Sequence, residues 1–237
     1  IHFLSKIADE PMAWNQKKLG ELAFDAEVGE FNEPGGMMDQ YSTAMGNLIY
    51  LESQPKISIK KLKPNLGTFV LADSGAPKNT FKILKRCRDS RQKLLKQLII
   101  KNPSMNIDSC DENLDLSDLS NDEVKLYFGT IKNRELLKRA LVEFQKHTID
   151  EALIGKLLYE HHTILRDDLK VSTPKIETMM DAAMKAGALG AKINGSGGGG
   201  CMFAYAPNNA EKVVEAINRV NGHAQIIHTD EGSKFLN

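Results

Sequence analysis

Apolar positions recur at helical spacing through much of the chain. In residues 16–29 (QKKLGELAFDAEVG), Leu19, Leu22, Ala23 and Ala26 fall at i, i+3, i+4 and i+7, and Gly29 is a natural end. This predicts a helix with one buried face. A tight turn at Asn32-Glu33-Pro34-Gly35-Gly36 follows, then a short helix over 37–46 and a strand over Asn47–Leu51. Leu66–Asp73 (LGTFVLAD) reads as a second strand, apolar enough for burial on both faces. Residues 80–100 predict a basic amphipathic helix whose apolar stripe is Leu84, Cys87, Leu94, Leu95 and Leu98.

The second half repeats the helical pattern at about 131–146, 150–167 and 174–187. Thr173 before Pro174 is a strong start signal for the last of these. Strands are expected over 189–194, 200–206 and 223–229, with a helix over 208–221 that turns Val213, Val214, Ile217 and Val220 inward. Helix, strand, glycine turn, strand, helix, strand is most of a split βαβ, ferredoxin-like arrangement.

Composition narrows the picture. A chain of 237 residues that is 41% hydrophobic and 26% charged forms one large or two ordinary globular domains. Acids and bases balance at 31 each, so no global field selects nucleic acid or an anionic membrane. The basic helix lacks accompanying stacking aromatics and reads as a solvated surface. Neither nucleic acid nor membrane is expected as a partner. Cys87, Cys110 and Cys201 form no CxxC pair, which points to a reduced, cytoplasmic protein. No apolar run reaches the roughly 18–20 residues of a membrane span, and no signal peptide is visible. The chain opens at Ile1 and runs at once into apolar residues, which leads us to expect a fragment.

Residues 106–124 carry seven acids and no base. Asp111-Glu112-Asn113-Leu114-Asp115 matches the opening of a calcium loop, but Leu116 stands where the glycine belongs and Asp122 where the glutamate belongs. A solvated connection is the better reading.

The chemistry concentrates in two places. KINGSGGGGCMFAYA, residues 192–206, holds five glycines in six positions, Gly195, Gly197, Gly198, Gly199 and Gly200, interrupted only by Ser196. A dinucleotide fingerprint needs a helix after the glycines and an acid about 20 residues on; here a strand follows and Arg219, Val220 and Asn221 occupy that position. A Walker loop fails for want of Gly-Lys-Ser/Thr. A hairpin needs only one or two glycines. Five point instead to a backbone that closely approaches an anionic ligand or a phosphate loop. The second place is EPGGMMDQ, where Asp39 follows Gly35, Gly36 and two methionines. An acid in such a setting suits a general base, near substrate and partly desolvated. The same residues also suit a helix-capping aspartate.

Taken together, AKINGSGGGGCMFAYA, EVGEFNEPGGMMDQYSTAMG, LADSGAPKNT and HHTILRDDLKVSTPKIE resemble, in order, segments of the GHMP kinases. The resemblance implies an α+β, two-domain GHMP kinase-type fold with a ferredoxin-like C-terminal domain and an incomplete N-terminal one. Residues 1–80 would be the remnant of the N-terminal, S5-like domain and 81–237 the C-terminal domain. It implies ATP and Mg²⁺ as cofactors, and a monosaccharide, galactose first, as acceptor. Asp39 would act as catalytic base beside Gly35 and Gly36 in the substrate loop, with residues 195–200 near the phosphates. The family's GLGSSAA-type phosphate loop and its Mg²⁺ ligands do not occur here, so no metal ligand is assigned to this chain. A heptose phosphate or mevalonate-type acceptor, or a catalytically silent sugar and ATP sensor, are the alternatives.

The remaining polar residues read as structural. His161 and His162 are helical neighbours that point to different faces and cannot easily chelate one metal. Arg166 and Asp167 close the same helix, and Cys201 enters a buried strand as an inert thiol.

Overall fold

The computed structural model describes residues 14–31, 35–78, 80–103, 105 and 114–234. Residues 32–34 of the expected turn and 111–113 of the calcium-like run lie outside the described residues. The chain forms two compact units, one of residues 1–65 with 228–237, the other of residues 66–227.

In the smaller unit, α1 (Gln16–Phe24) begins at Asn15, whose side chain accepts the Lys18 N–H. A π turn, Asp25–Gly29, continues it to the expected end. Helix α2 (Met38–Met45) packs on α1, with Tyr41 buried against Gly20; a Cβ at Gly20 would lie 2.8 Å from that ring. A hairpin of β1 (Leu48–Glu52) and β2 (Ser58–Leu62) follows, registered Leu48 to Leu62 and Glu52 to Ser58. The returning chain closes the unit: Asn47 N–H donates to the Asp230 carbonyl at 2.5 Å, and Ser233 N–H to the Ala44 carbonyl at 3.0 Å.

The larger unit is built on an antiparallel sheet of β3 (Phe69–Asp73), β4 (Gly190–Ile193), β5 (Cys201–Tyr205) and β6 (His223–Ile227), in spatial order β4-β5-β3-β6. Helices α3 (Thr80–Lys101), α4 (Asn121–Phe144), α5 (Glu151–Asp167) and α6 (Pro174–Lys185) lie between β3 and β4, and α7 (Ala210–Arg219) between β5 and β6. This is the ferredoxin-like order with an enlarged first crossover. One sheet face is the core. Val70, Ala72, Ala191, Ile193, Met202 and Ala204 meet Ile176, Met179, Val213 and Ile217, all fully buried. Burial of this many large side chains, at about 1.5–3 kcal/mol each, is what holds α6 and α7 to the sheet.

Two expectations change, and the division into compact units is drawn at a different place from the expected domain boundary. Strand β3 is fully buried on one face only: Val70 and Ala72 are covered, Phe69 and Leu71 half-buried, Asp73 exposed. The expected boundary at 80/81 does not coincide with the one at 65/66, because β3 pairs with both β5 and β6 and so belongs to the larger unit. Helix α4 starts ten residues before the expected 131, inside the acidic stretch. Ser120 and Glu123 form a reciprocal capping box that satisfies its first amides.

Candidate functional site

The glycine run is a turn that only glycine can make. Gly195, Gly197, Gly198, Gly199 and Gly200 sit at φ of 68°, 78°, 75°, 123° and 68°, all in the region costly for residues with a Cβ. Strands β4 and β5 hold its ends, with Asn194 N–H donating to the Cys201 carbonyl at 2.9 Å. Its middle is held from two sides. Gly198 N–H donates to the Val171 carbonyl at 2.6 Å, and Gly200 N–H to the Ala76 carbonyl at 3.2 Å. In return the Gly200 carbonyl accepts the Ser74 N–H at 3.0 Å. The close approach inferred from the sequence is therefore, within this unit, an approach to the backbone of residues 74–77 and to Val171. A Cβ at Gly197 would lie 2.5 Å from the Val171 oxygen, and one at Gly198 would overlap the Ile83 side chain.

Residues 74–78 form the facing loop. Asp73 Oδ1 accepts the Gly75 N–H at 3.0 Å and Ser74 Oγ accepts the Ala76 N–H at 3.3 Å, folding the loop on itself. That fold places Lys78 along the glycine run, its Nζ 3.5 Å from where a Gly195 Cβ would stand and 3.4 Å from that of Gly200. Lys78 is exposed and makes no ion pair among the described residues. Nothing local in the sequence singles it out. Its only signal was a lysine inside a Gly-Pro turn, which is usually a surface position.

Three amides of the run, those of Gly195, Ser196 and Gly199, have no hydrogen-bond acceptor among the described residues. The Ser196 hydroxyl is buried and likewise has no acceptor or donor among them. Unsatisfied donors beside an unpaired ammonium are a recipient for a phosphate-like anion. Among the described residues no three His, Cys, Asp or Glu side chains gather.

Asp39 lies in the first turn of α2 and is exposed. The partly desolvated, methionine-walled pocket expected around it is not formed by the described residues, since Met38 is half exposed too. Its own carbonyl accepts the Ser42 hydroxyl. The neighbouring Gln40 is buried and donates to Glu27 at 2.8 Å, which ties the start of α2 to the π turn. Gly35 is limited by Val28, 3.2 Å from its would-be Cβ, while Gly36 faces open space. Neither has the positive φ that would require glycine. Asp39 and the glycine run belong to different compact units.

Around the run the helices are polar and charged in a specific way. Arg86 of α3 donates to the Leu169 and Lys170 carbonyls at 3.2 and 3.3 Å, fixing the chain that leads to Val171. Burial pulls the Lys192 ammonium down to about 8; it bonds the Ile193 carbonyl at 3.0 Å and lies over the Phe203 ring. Burial, then the Asp73 carboxylate, push the Cys201 thiol up, so it is a poor nucleophile.

Residues 135–223 match the family model described as GHMP kinases C terminal. The mevalonate kinase of Thermococcus onnurineus is 48% identical over 83 residues, 35% of this chain and 25% of that protein. The galactokinase of Clostridium tetani is 27% identical over 211 residues, 83% of this chain and 53% of that protein. A crystal structure of Lactococcus lactis galactokinase complexed with galactose superposes with a TM-score of 0.68 at 19% identity, over 98% of this chain and 64% of that one. The chain thus spans from a quarter to about half the length of these two curated relatives.

Proposed function

We propose that this chain, which has the α+β fold of the GHMP kinases and carries their C-terminal domain, works in an ATP-dependent small-molecule kinase. The glycine run carries the reading. Its free amides, the Ser196 hydroxyl and the Lys78 ammonium suit the negative charge of a nucleotide's terminal phosphates. ATP, when bound, supplies the phosphoryl group.

Phosphoryl transfer depends mostly on positioning and electrostatics. In this reading the glycine amides and Lys78 stabilise charge on the transferring group. Asp39 accepts, or orients, the proton of the attacking hydroxyl. The residues described here do not by themselves fit Mg²⁺, and no step is assigned to it.

For the acceptor we favour a monosaccharide hydroxyl of the galactose type, because the galactokinase likeness runs along 83% of this chain. A mevalonate-type hydroxy acid is the second reading, favoured by the higher identity, 48%, of the shorter match. The test is ATP-dependent phosphorylation of galactose, other hexoses, a heptose phosphate and mevalonate by the complete protein. Turnover of a sugar supports the first reading and turnover of mevalonate the second. Binding of ATP or sugar with no turnover of any acceptor overturns both in favour of a sensor.

A further inference from the structure

The glycine run has almost no side chains with which to pack, so its position must be imposed through its backbone. Two of its supports are the end of β4, which leads into it, and the segment at Val171, which accepts the Gly198 amide. Both supports converge on one carboxylate that the proposed chemistry does not use.

Ile193, the last residue of β4, donates its N–H to Nδ1 of His162 at 3.3 Å. His162 is completely buried in α5. Because Nδ1 accepts, the ring proton sits on Nε2, which donates to Glu177 Oε1 at 2.9 Å. The Ser172 hydroxyl, next to Val171, donates to the same oxygen. Arg166 reaches the other oxygen, Oε2, at 3.3 Å while holding Asp167 in a two-pronged ion pair at 2.7 and 2.9 Å. Burial lowers His162, with Glu177 opposing, so the imidazole stays neutral. Burial raises Glu177, but bonds from Ser172, His162 and Arg166 outweigh it and hold the carboxyl ionised. Glu177 itself sits in the first turn of α6, where the helix dipole favours a negative charge.

We propose that Glu177, acting through His162 on one side and Ser172 on the other, sets the position of the glycine run and is a positioning residue for phosphate recognition. The role in recognition rests on the kinase reading above; the tether itself does not. A carboxylate suits the position because it accepts from several directions at once. A leucine of similar size accepts from none of them and leaves the His162 N–H and the Ser172 hydroxyl without their shared acceptor.

The experiment uses the full-length protein with Glu177→Leu, which removes the shared acceptor, and, as a milder change, Ser172→Ala. Amide hydrogen–deuterium exchange is followed over residues 193–200, and the KM for ATP is measured. Exchange about tenfold faster in that segment, with KM for ATP raised about tenfold and kcat within about threefold, is the expected result. Should Glu177→Leu not fold, Ser172→Ala carries the test with the same expected direction. Unchanged exchange in 193–200 in the folded variant overturns the tether. Faster exchange with no ATP turnover in the wild-type protein overturns the kinase reading and upholds the tether.

Discussion

The amide of Gly198 donates to the carbonyl of Val171 at 2.6 Å, and the preceding Gly197 packs on that same oxygen so closely that a Cβ would lie 2.5 Å from it. The contact is backbone on backbone and neither side can turn away. Gly197→Ala also forces a side chain to φ near 78°, so strain of about 1–2 kcal/mol adds to the clash. We expect the variant to fold with lowered stability and to lose at least tenfold in kcat/KM for ATP. Urea unfolding and steady-state kinetics on the complete protein check both parts. Unchanged kinetics would return the run to a plain connecting turn.

Lys78 allows the converse separation. Its ammonium is exposed and has no anionic partner among the described residues, so Lys78→Met should leave the unfolding free energy within about 0.5 kcal/mol. If the charge faces phosphates, kcat/KM for ATP falls about 10- to 100-fold and Lys78→Arg restores part of it. A loss of stability that matches the loss of activity would contradict this role.

Asp39→Asn keeps the shape of an exposed helix-start residue and removes the base. A fall of about 10²–10⁴ in kcat is expected, with little change in KM for ATP. Single-turnover kinetics on the complete protein measure it. A kcat within about threefold of wild type removes Asp39 from the mechanism.

His161 gives a pH signature. Burial first, then the Lys192 charge, push its imidazole down to about 4. The unfolded chain takes up that proton near pH 6.5, whereas the folded chain does not until about 4. Stability is therefore full above about pH 6.5 and is lost as pH falls toward 4, by about 2 kcal/mol at pH 4.5. His161 lines an apolar groove with Leu136, Leu157 and Leu158, so His161→Leu should fold and lose most of this slope. Urea midpoints between pH 7 and 4.5 compare the two; equal slopes would assign the pH dependence elsewhere.

The helices and the sheet of the larger unit were legible because their signals are local. Thr173 and Pro174 start α6 as read, and Val213 and Ile217 of α7 turn inward as read. Strand β2 was missed. Its lysines, Lys60 and Lys61, break the apolar run, and only pairing with β1 makes Ser58–Leu62 a strand. The start of α4 was hidden because Asp122 and Glu123 looked like solvated acids, when their place beside Ser120 made them a cap.

At the site, the close approach of the glycine run was readable from its composition, but not what it approaches. Lys78 and Glu177 are 117 and 18 residues upstream of Gly195, and the β3–β5 pairing and the packing of α6 and α5 on β4 bring their segments to it. The pocket expected around Asp39 rested on its methionine neighbours. Sequence adjacency does not decide which way a residue in a helix's first turn will face, and Asp39 is exposed.

The central claim is that the glycine run and Lys78 recognise the phosphates of ATP during transfer to a small hydroxyl. The most direct measurement is ATP-dependent phosphoryl transfer to galactose and to mevalonate by the complete protein, run beside its Gly197→Ala and Lys78→Met variants. The account predicts product from the wild-type protein with one acceptor, and a KM for ATP raised at least tenfold in both variants. Wild-type turnover with both variants unaltered in KM and kcat would contradict it.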